Sequence, residues 1–110
     1  MLSRPQDFSA LQECGIMKSH PLLAARVLRT DLETTRFALA TSRSVGSAVV
    51  RNKVRRRIRE VLRAMMPSVQ PGWDVLLIAR PALVSVDYET VVKTLHRQLA
   101  RSGVLEGSDG

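Results

Sequence analysis

The chain has 110 residues, 45% of them hydrophobic but only 4% aromatic, with 17 Lys and Arg against 10 Asp and Glu for a formal charge of +7. That length supports one domain and excludes two independent cores, and its burial must be carried by aliphatic side chains. No run approaches the ~20 apolar residues of a membrane span, Gln6, Asp7 and Ser9 interrupt any N-terminal signal core, and the lone Cys14 excludes an internal disulfide and fits a cytoplasmic setting.

Ser3-Arg4-Pro5-Gln6 has the form of a helix start, with Ser3 as N-cap and Gln6 completing a capping box. Phe8 and Leu11 fall on one face of this first helix, and Gly15 is placed to stop it. After Pro21, Leu22 to Leu28 reads as a strand, Thr30, Asp31, Glu33 and Thr34 as a turn, and Arg36 to Thr41 as the hairpin partner. Ser42 to Ser47 is a small-residue loop around Gly46. A long helix is predicted from near Ser47 to just before Pro67, because Val50, Val54, Ile58, Val61, Leu62 and Met65 recur every three or four residues. Pro71-Gly72 turns the chain into Val75 to Ala79, an unbroken apolar run suited to a buried central strand. Ser85 or Asp87 caps a last helix carrying Tyr88, Val91, Leu95 and Leu99, closed by Gly103. The order is α-β-β-α-β-α, an α+β single-domain sandwich with a small mixed sheet over residues 1–105. Residues 106–110 are expected to form a flexible tail.

The charge is concentrated. Eight cations (Arg43, Arg51, Lys53, Arg55, Arg56, Arg57, Arg59 and Arg63) lie between residues 43 and 63, with Glu60 the one acid, and the rest of the chain is balanced. At ~100° per residue, Asn52, Arg55, Arg56, Arg59 and Arg63 cluster opposite the apolar stripe. Arginine's planar fork suits phosphate and stacks on bases, so this helix face points to a polyanion site. Arg57 lies nearer the flank, where packing along its stem is expected.

Parts for catalysis are few. His20 and His96 have no Cys or acid at metal-ligand spacing, Cys14 sits beside a helix stop, and the acids form no pair for acid–base work. No catalytic residue is expected among the side chains, and the sequence names no metal ligands.

The segment Ser42-Arg43-Ser44-Val45-Gly46-Ser47-Ala48-Val49-Val50-Arg51-Asn52-Lys53-Val54-Arg55-Arg56-Arg57-Ile58-Arg59-Glu60 resembles the signature of the bacterial ribonuclease P protein component, roughly S-K-K-x-G-N-A-V-x-R-N-R-x-K-R-x-x-R. Asp7-Phe8 on the first helix, Gly72 to Pro81 around the apolar strand, and the closing amphipathic helix agree in order, over about residues 4 to 102. The resemblance implies a sandwich fold shared with a domain of a small-subunit ribosomal protein and of elongation factor G, with a left-handed crossover at the arginine helix. It implies two RNA partners, the ribonuclease P catalytic RNA and precursor tRNA, with no membrane and no protein partner in evidence. In that family the RNA removes the 5′ leader with Mg²⁺, bound mainly through the RNA, and no organic cofactor takes part.

Carried onto this sequence, the resemblance assigns RNA binding to Arg43, Arg51, Asn52, Lys53, Arg55, Arg56 and Arg59. Asn52 either pairs with polar groups of RNA or fixes the first helical turn. For the leader, strand alternation puts Ala24, Arg26, Ala38 and Ala40 on one face, edged by Phe8, as the floor of a shallow channel. The bland alternative is that Phe8 pins the first helix to the sheet. Gln12 stands where a second aromatic is common, and Ser44 and Ser47 where Lys and Asn are usual. Competing readings are another RNA-binding module, a self-sufficient nuclease, and a DNA-binding helix protein; the long central motif and the lack of a catalytic constellation or dimer element weigh against them.

Overall fold

A computed structural model describes residues 5–105. The proposed Ser3 cap and the tail from Glu106 lie outside them. The elements are α1 (Pro5–Cys14), β1 (Ile16–Lys18), β2 (Leu23–Arg29), β3 (Arg36–Thr41), α2 (Ala48–Met65), β4 (Trp73–Ala79) and α3 (Tyr88–Arg101). Short 3-10 turns at Arg43–Val45, Met66–Ser68 and Pro81–Ser85 join them. The predicted helices and the central apolar strand are present, and β1 is an additional three-residue strand.

The sheet order is β1-β2-β4-β3. This corrects the expected hairpin. β2 and β3 do not pair; β4 lies between them, antiparallel to β2 and parallel to β3. The physical reason is that Val75, Leu76, Leu77 and Ala79 are all buried and need neighbours on both edges and both faces. The polar segment from Thr30 to Thr35 is therefore no tight turn. It steps over the entry to β4, where Thr30 N–H donates to Gly72 O (2.7 Å), Thr35 Oγ1 donates to Gln70 O (2.5 Å), and Trp73 N–H donates to Thr35 Oγ1 (3.2 Å).

The two sheet faces carry different loads. On one, Leu23, Ala25, Val27, Phe37, Val75, Leu77 and Ala79 form the main core with Val54, Ile58, Val61 and Leu62 of α2 and Val91, Leu95 and Leu99 of α3. Gln98, fully buried on α3, donates through Nε2 to Lys18 O (2.7 Å) and Leu23 O (3.0 Å), tying that helix to the β1–β2 end. On the other face, α1 inserts Leu11 onto Ala38 and Leu76, with Phe8, Leu28, Ala40 and Ile78 around them. Gly15 ends α1 as expected, its N–H donating to Leu11 O at 2.9 Å. A Cβ at this position would sit 2.3 Å from that carbonyl oxygen, so only glycine fits.

Both long helices begin with a side-chain cap. Ser47 Oγ accepts from Val50 N–H, at 3.4 Å, so Ser47 keeps the capping role open to the Asn usual there. Asp87, of the two candidates, caps α3 by accepting from Thr90 N–H at 2.9 Å. This hydrogen bonding from Thr90, aided by the charge of Lys93, holds its carboxyl below the ordinary aspartate range. A depressed folded-state pKa means the ionised cap stabilises the fold above the unfolded-state value, and that contribution is lost as pH falls through the folded one. Asp87→Ala is therefore expected to lower Tm at neutral pH. The gap to the parent protein should close in acid, as thermal melts at a series of pH values would show.

Candidate nucleic-acid interface

α2 docks by its aliphatic stripe and turns its other side to solvent. Asn52, Lys53, Arg56, Arg59 and Arg63 are exposed, while Arg51, Arg55 and Arg57 are half-buried. Arg55 bridges to the sheet: its guanidinium donates to Thr41 Oγ1 at the end of β3 (2.6 Å) and to Asn52 Oδ1 (2.5 Å). Asn52 thus orients an arginine one turn along the helix. Arg57 leans to the opposite flank and donates to Val86 O at 3.2 Å, in keeping with its expected packing role. Lys53 sits on that flank too, lining a small hollow with Arg56, Arg57, Glu60 and Tyr88. Arg51 has its Nε buried without a hydrogen-bond partner among the described residues. Arg43 is exposed in the turn before Gly46. Arg63 extends the exposed row by a further turn; its ~100° placement was the signal, though the family pattern stops short of it.

The electrostatics of this face follow from what its cations lack. Among the described residues the ion pairs join Arg36 to Asp7 and Asp74, and Lys93 to Glu89. None engages a cation of α2. Arg55 is held by neutral oxygens, so its charge remains available to a polyanion, whereas Arg57 is turned to the flank against Val86 O.

The second candidate surface is the α1 face of the sheet. Ala24, Arg26, Ala38 and Ala40 do share it, with Phe8 above them, and the alternation read from sequence holds. Exposure divides the set. Ala24 and Ala38 are buried, whereas Phe8, Arg26 and Ala40 are partly open. The Arg26 guanidinium donates to Gln12 O (3.3 Å) and Gly15 O (3.5 Å), closing the last turn of α1. The side chain of Gln12 is exposed.

The seat of α1 is set by an ion network that sequence reading missed. Arg36 on β3 donates through Nε and Nη2 to Asp74 on β4, at 2.8 and 2.7 Å, and through Nη1 to Asp7 on α1, at 3.2 Å. Arg36 and Asp74 are directly opposite in the β3–β4 register. Donation to the Asp74 carboxylate raises the Arg36 pKa above the ordinary arginine value. Asp7 is one residue before Phe8, so the network also fixes where that ring lies. Among the described residues no three His, Cys, Asp or Glu side chains form a metal-ligand group, and both carboxylates of this network are committed to Arg36. No helix among these residues is long and apolar enough to cross a membrane.

An α+β domain with an unpaired arginine row on one helix, beside a sheet face partly covered by another, is a polyanion-binding protein. The Ribonuclease P family model matches residues 1–103. The chain belongs to the ribonuclease P protein family. It is 37% identical over 123 residues to the ribonuclease P protein component of a Cyanothece species, covering 96% of this chain and 94% of that one. To the Roseiflexus sp. component it is 32% identical over 109 residues, covering 98% and 89%. The RNase P protein from Thermotoga maritima superposes with a TM-score of 0.84 at 27% identity, covering 92% of this chain and 98% of that one. Membership makes this chain the protein subunit of an endoribonuclease holoenzyme that acts in tRNA 5′ processing.

Proposed function

We propose that the protein grips two RNA elements with two adjoining surfaces. The arginine row of α2, with Arg43, Arg51, Asn52, Lys53, Arg55, Arg56 and Arg59, holds phosphates of the ribonuclease P catalytic RNA. The α1 face of the sheet holds the 5′ leader of precursor tRNA. Arg55 carries this reading, because its bond to Thr41 joins the helix row to the strand whose preceding residue, Ala40, opens onto the sheet face. Phosphates need cations that no carboxylate neutralises, which the row supplies among the described residues. A single strand needs a shallow surface with a ring and few charges, which Phe8, Arg26 and Ala40 supply. Ala24 and Ala38 act from beneath, keeping the floor low enough for α1 to sit close.

Mg²⁺ belongs with the RNA in this reading, and the protein supplies binding rather than bond cleavage. The test is precursor-tRNA cleavage by a bacterial ribonuclease P RNA at low Mg²⁺, with and without the protein. Cleavage at the mature 5′ end that needs both components supports the reading. Binding without any gain in cleavage would reduce it to general RNA binding, and cleavage by the protein without RNA would replace it. For the leader surface, Phe8→Ala is expected to fold and to lose roughly fivefold to tenfold of the preference for leader-bearing over leaderless tRNA. An unchanged preference in competitive binding to the holoenzyme would leave Phe8 as a pin for α1 alone.

A further inference from the structure

α3 leaves its outer flank open at the edge of the sheet remote from the arginine row. Between this flank and His20, in the connection from β1 to β2, runs a groove of about 820 Å³. Thr94, with most of its surface buried, lies at its base, and Lys93, His96, Arg97 and Arg101 stand along it. Among the described residues no carboxylate lines the groove. Glu89 reaches Lys93 at 3.3 Å, but the two side chains are 74% and 76% exposed, so water and salt screen the pair and leave Lys93 available to a stronger anion. Arg97 is exposed and contacts no acid among the described residues. His20 accepts the Leu22 N–H at Nδ1 (3.0 Å), which fixes its ring at the rim of the groove. The groove thus combines exposed ammonium and guanidinium groups with the imidazoles of His20 and His96, a set suited to phosphate oxygens.

Its place in the fold gives it a separate role. α2 is tied to β3 through Arg55 and Thr41, whereas α3 is tied to β1 and β2 through Gln98. With the order β1-β2-β4-β3, the two sites stand over opposite sheet edges, three strand spacings or about 14 Å apart at the level of the sheet.

We propose that the His20–α3 groove is a second RNA-phosphate site, which holds a further RNA segment beyond those on the α2 row and the α1 face. The ligand chemistry is a run of phosphodiesters, drawn either from a second segment of the catalytic RNA or from the tRNA substrate.

The experiment uses the full chain carrying Lys93→Gln and Arg97→Gln, two exposed positions clear of the core and of the α2 row, with Tm confirming the fold. Affinity is measured across a salt series in two arms: protein for catalytic RNA, and assembled holoenzyme for precursor tRNA. Two lost phosphate contacts should flatten the slope of log affinity against log salt by about 1.5 in one arm, and the arm that changes identifies the source. Arg97→Glu should weaken binding further in the same arm. Unchanged slopes in both arms would overturn the second site and leave a solvated helix face. An Arg56→Ala variant run alongside keeps the outcomes apart: its slope falls if the α2 row binds RNA, whatever the groove does.

Discussion

Asp74→Ala is expected to lower the unfolding free energy by about 2 to 3 kcal/mol and to loosen α1 from the sheet. The carboxylate side chain is 4% exposed and takes two charge-assisted bonds from Arg36, whose own side chain is 28% exposed. Removing it leaves a guanidinium in a half-buried slot with only Asp7, at 3.2 Å, as a charged partner. The cost lies between that of an open surface pair, below about 1 kcal/mol, and that of a fully buried one, about 3 to 5 kcal/mol. Urea denaturation measures it. The companion Arg36→Met, combined with Asp74→Ala, should recover part of the loss, because no uncompensated charge then remains on β3 and β4. A double variant no more stable than Asp74→Ala alone would show that the pair acts through packing. Because Asp7 and Phe8 are neighbours on α1, Asp74→Ala should also weaken leader preference, and Asp7→Asn should do so with a smaller cost in stability.

That network shows where sequence reading stops. Periodicity was enough for α2 and α3, since an apolar stripe with a polar opposite face has one solution, and Gly15, Ser47 and Asp87 sit where their cap chemistry places them. Strand faces were equally legible: Phe37 and Leu39 fall toward the main core, Ala38 and Ala40 away from it. Pairing was not. Two neighbouring strands with a polar link read as a hairpin, although the link from Thr30 to Thr35 is long for the two-residue turns that hairpins favour. Its length is what lets the chain pass over β4. The three-residue β1 is too short to show a pattern, and its place depends on Gln98, a polar residue on a helix that nothing local marks as buried. Arg36, Asp7 and Asp74 are distant in sequence and met only through register. The same limit applies to the candidate sites. The arginine row was visible because it lies on one helix, while the groove at His20 needed the sheet order to bring it to α3.

Arg56→Ala with Arg59→Ala is expected to weaken binding to the catalytic RNA roughly a hundredfold at low salt, with little change in Tm. Both side chains are exposed, and no ion pair or side-chain hydrogen bond among the described residues holds either one. Their loss therefore costs the fold little. Each charge-assisted contact to phosphate contributes about 1.5 kcal/mol, close to tenfold in affinity. The slope against log salt, about −4 for five contacts, should flatten by about 1.5. Arg57→Ala makes the contrast, since its guanidinium bonds to Val86 O. It should cost stability at the α2–α3 junction and leave the slope nearly unchanged. Arg55→Ala belongs to both classes, for it releases Thr41 and Asn52 as well as a cation. If Arg57→Ala flattened the slope as much as the exposed pair, the RNA would lie on the Lys53 and Tyr88 flank of α2. The surface joining the helix row to the leader face would then have to be moved away from Thr41.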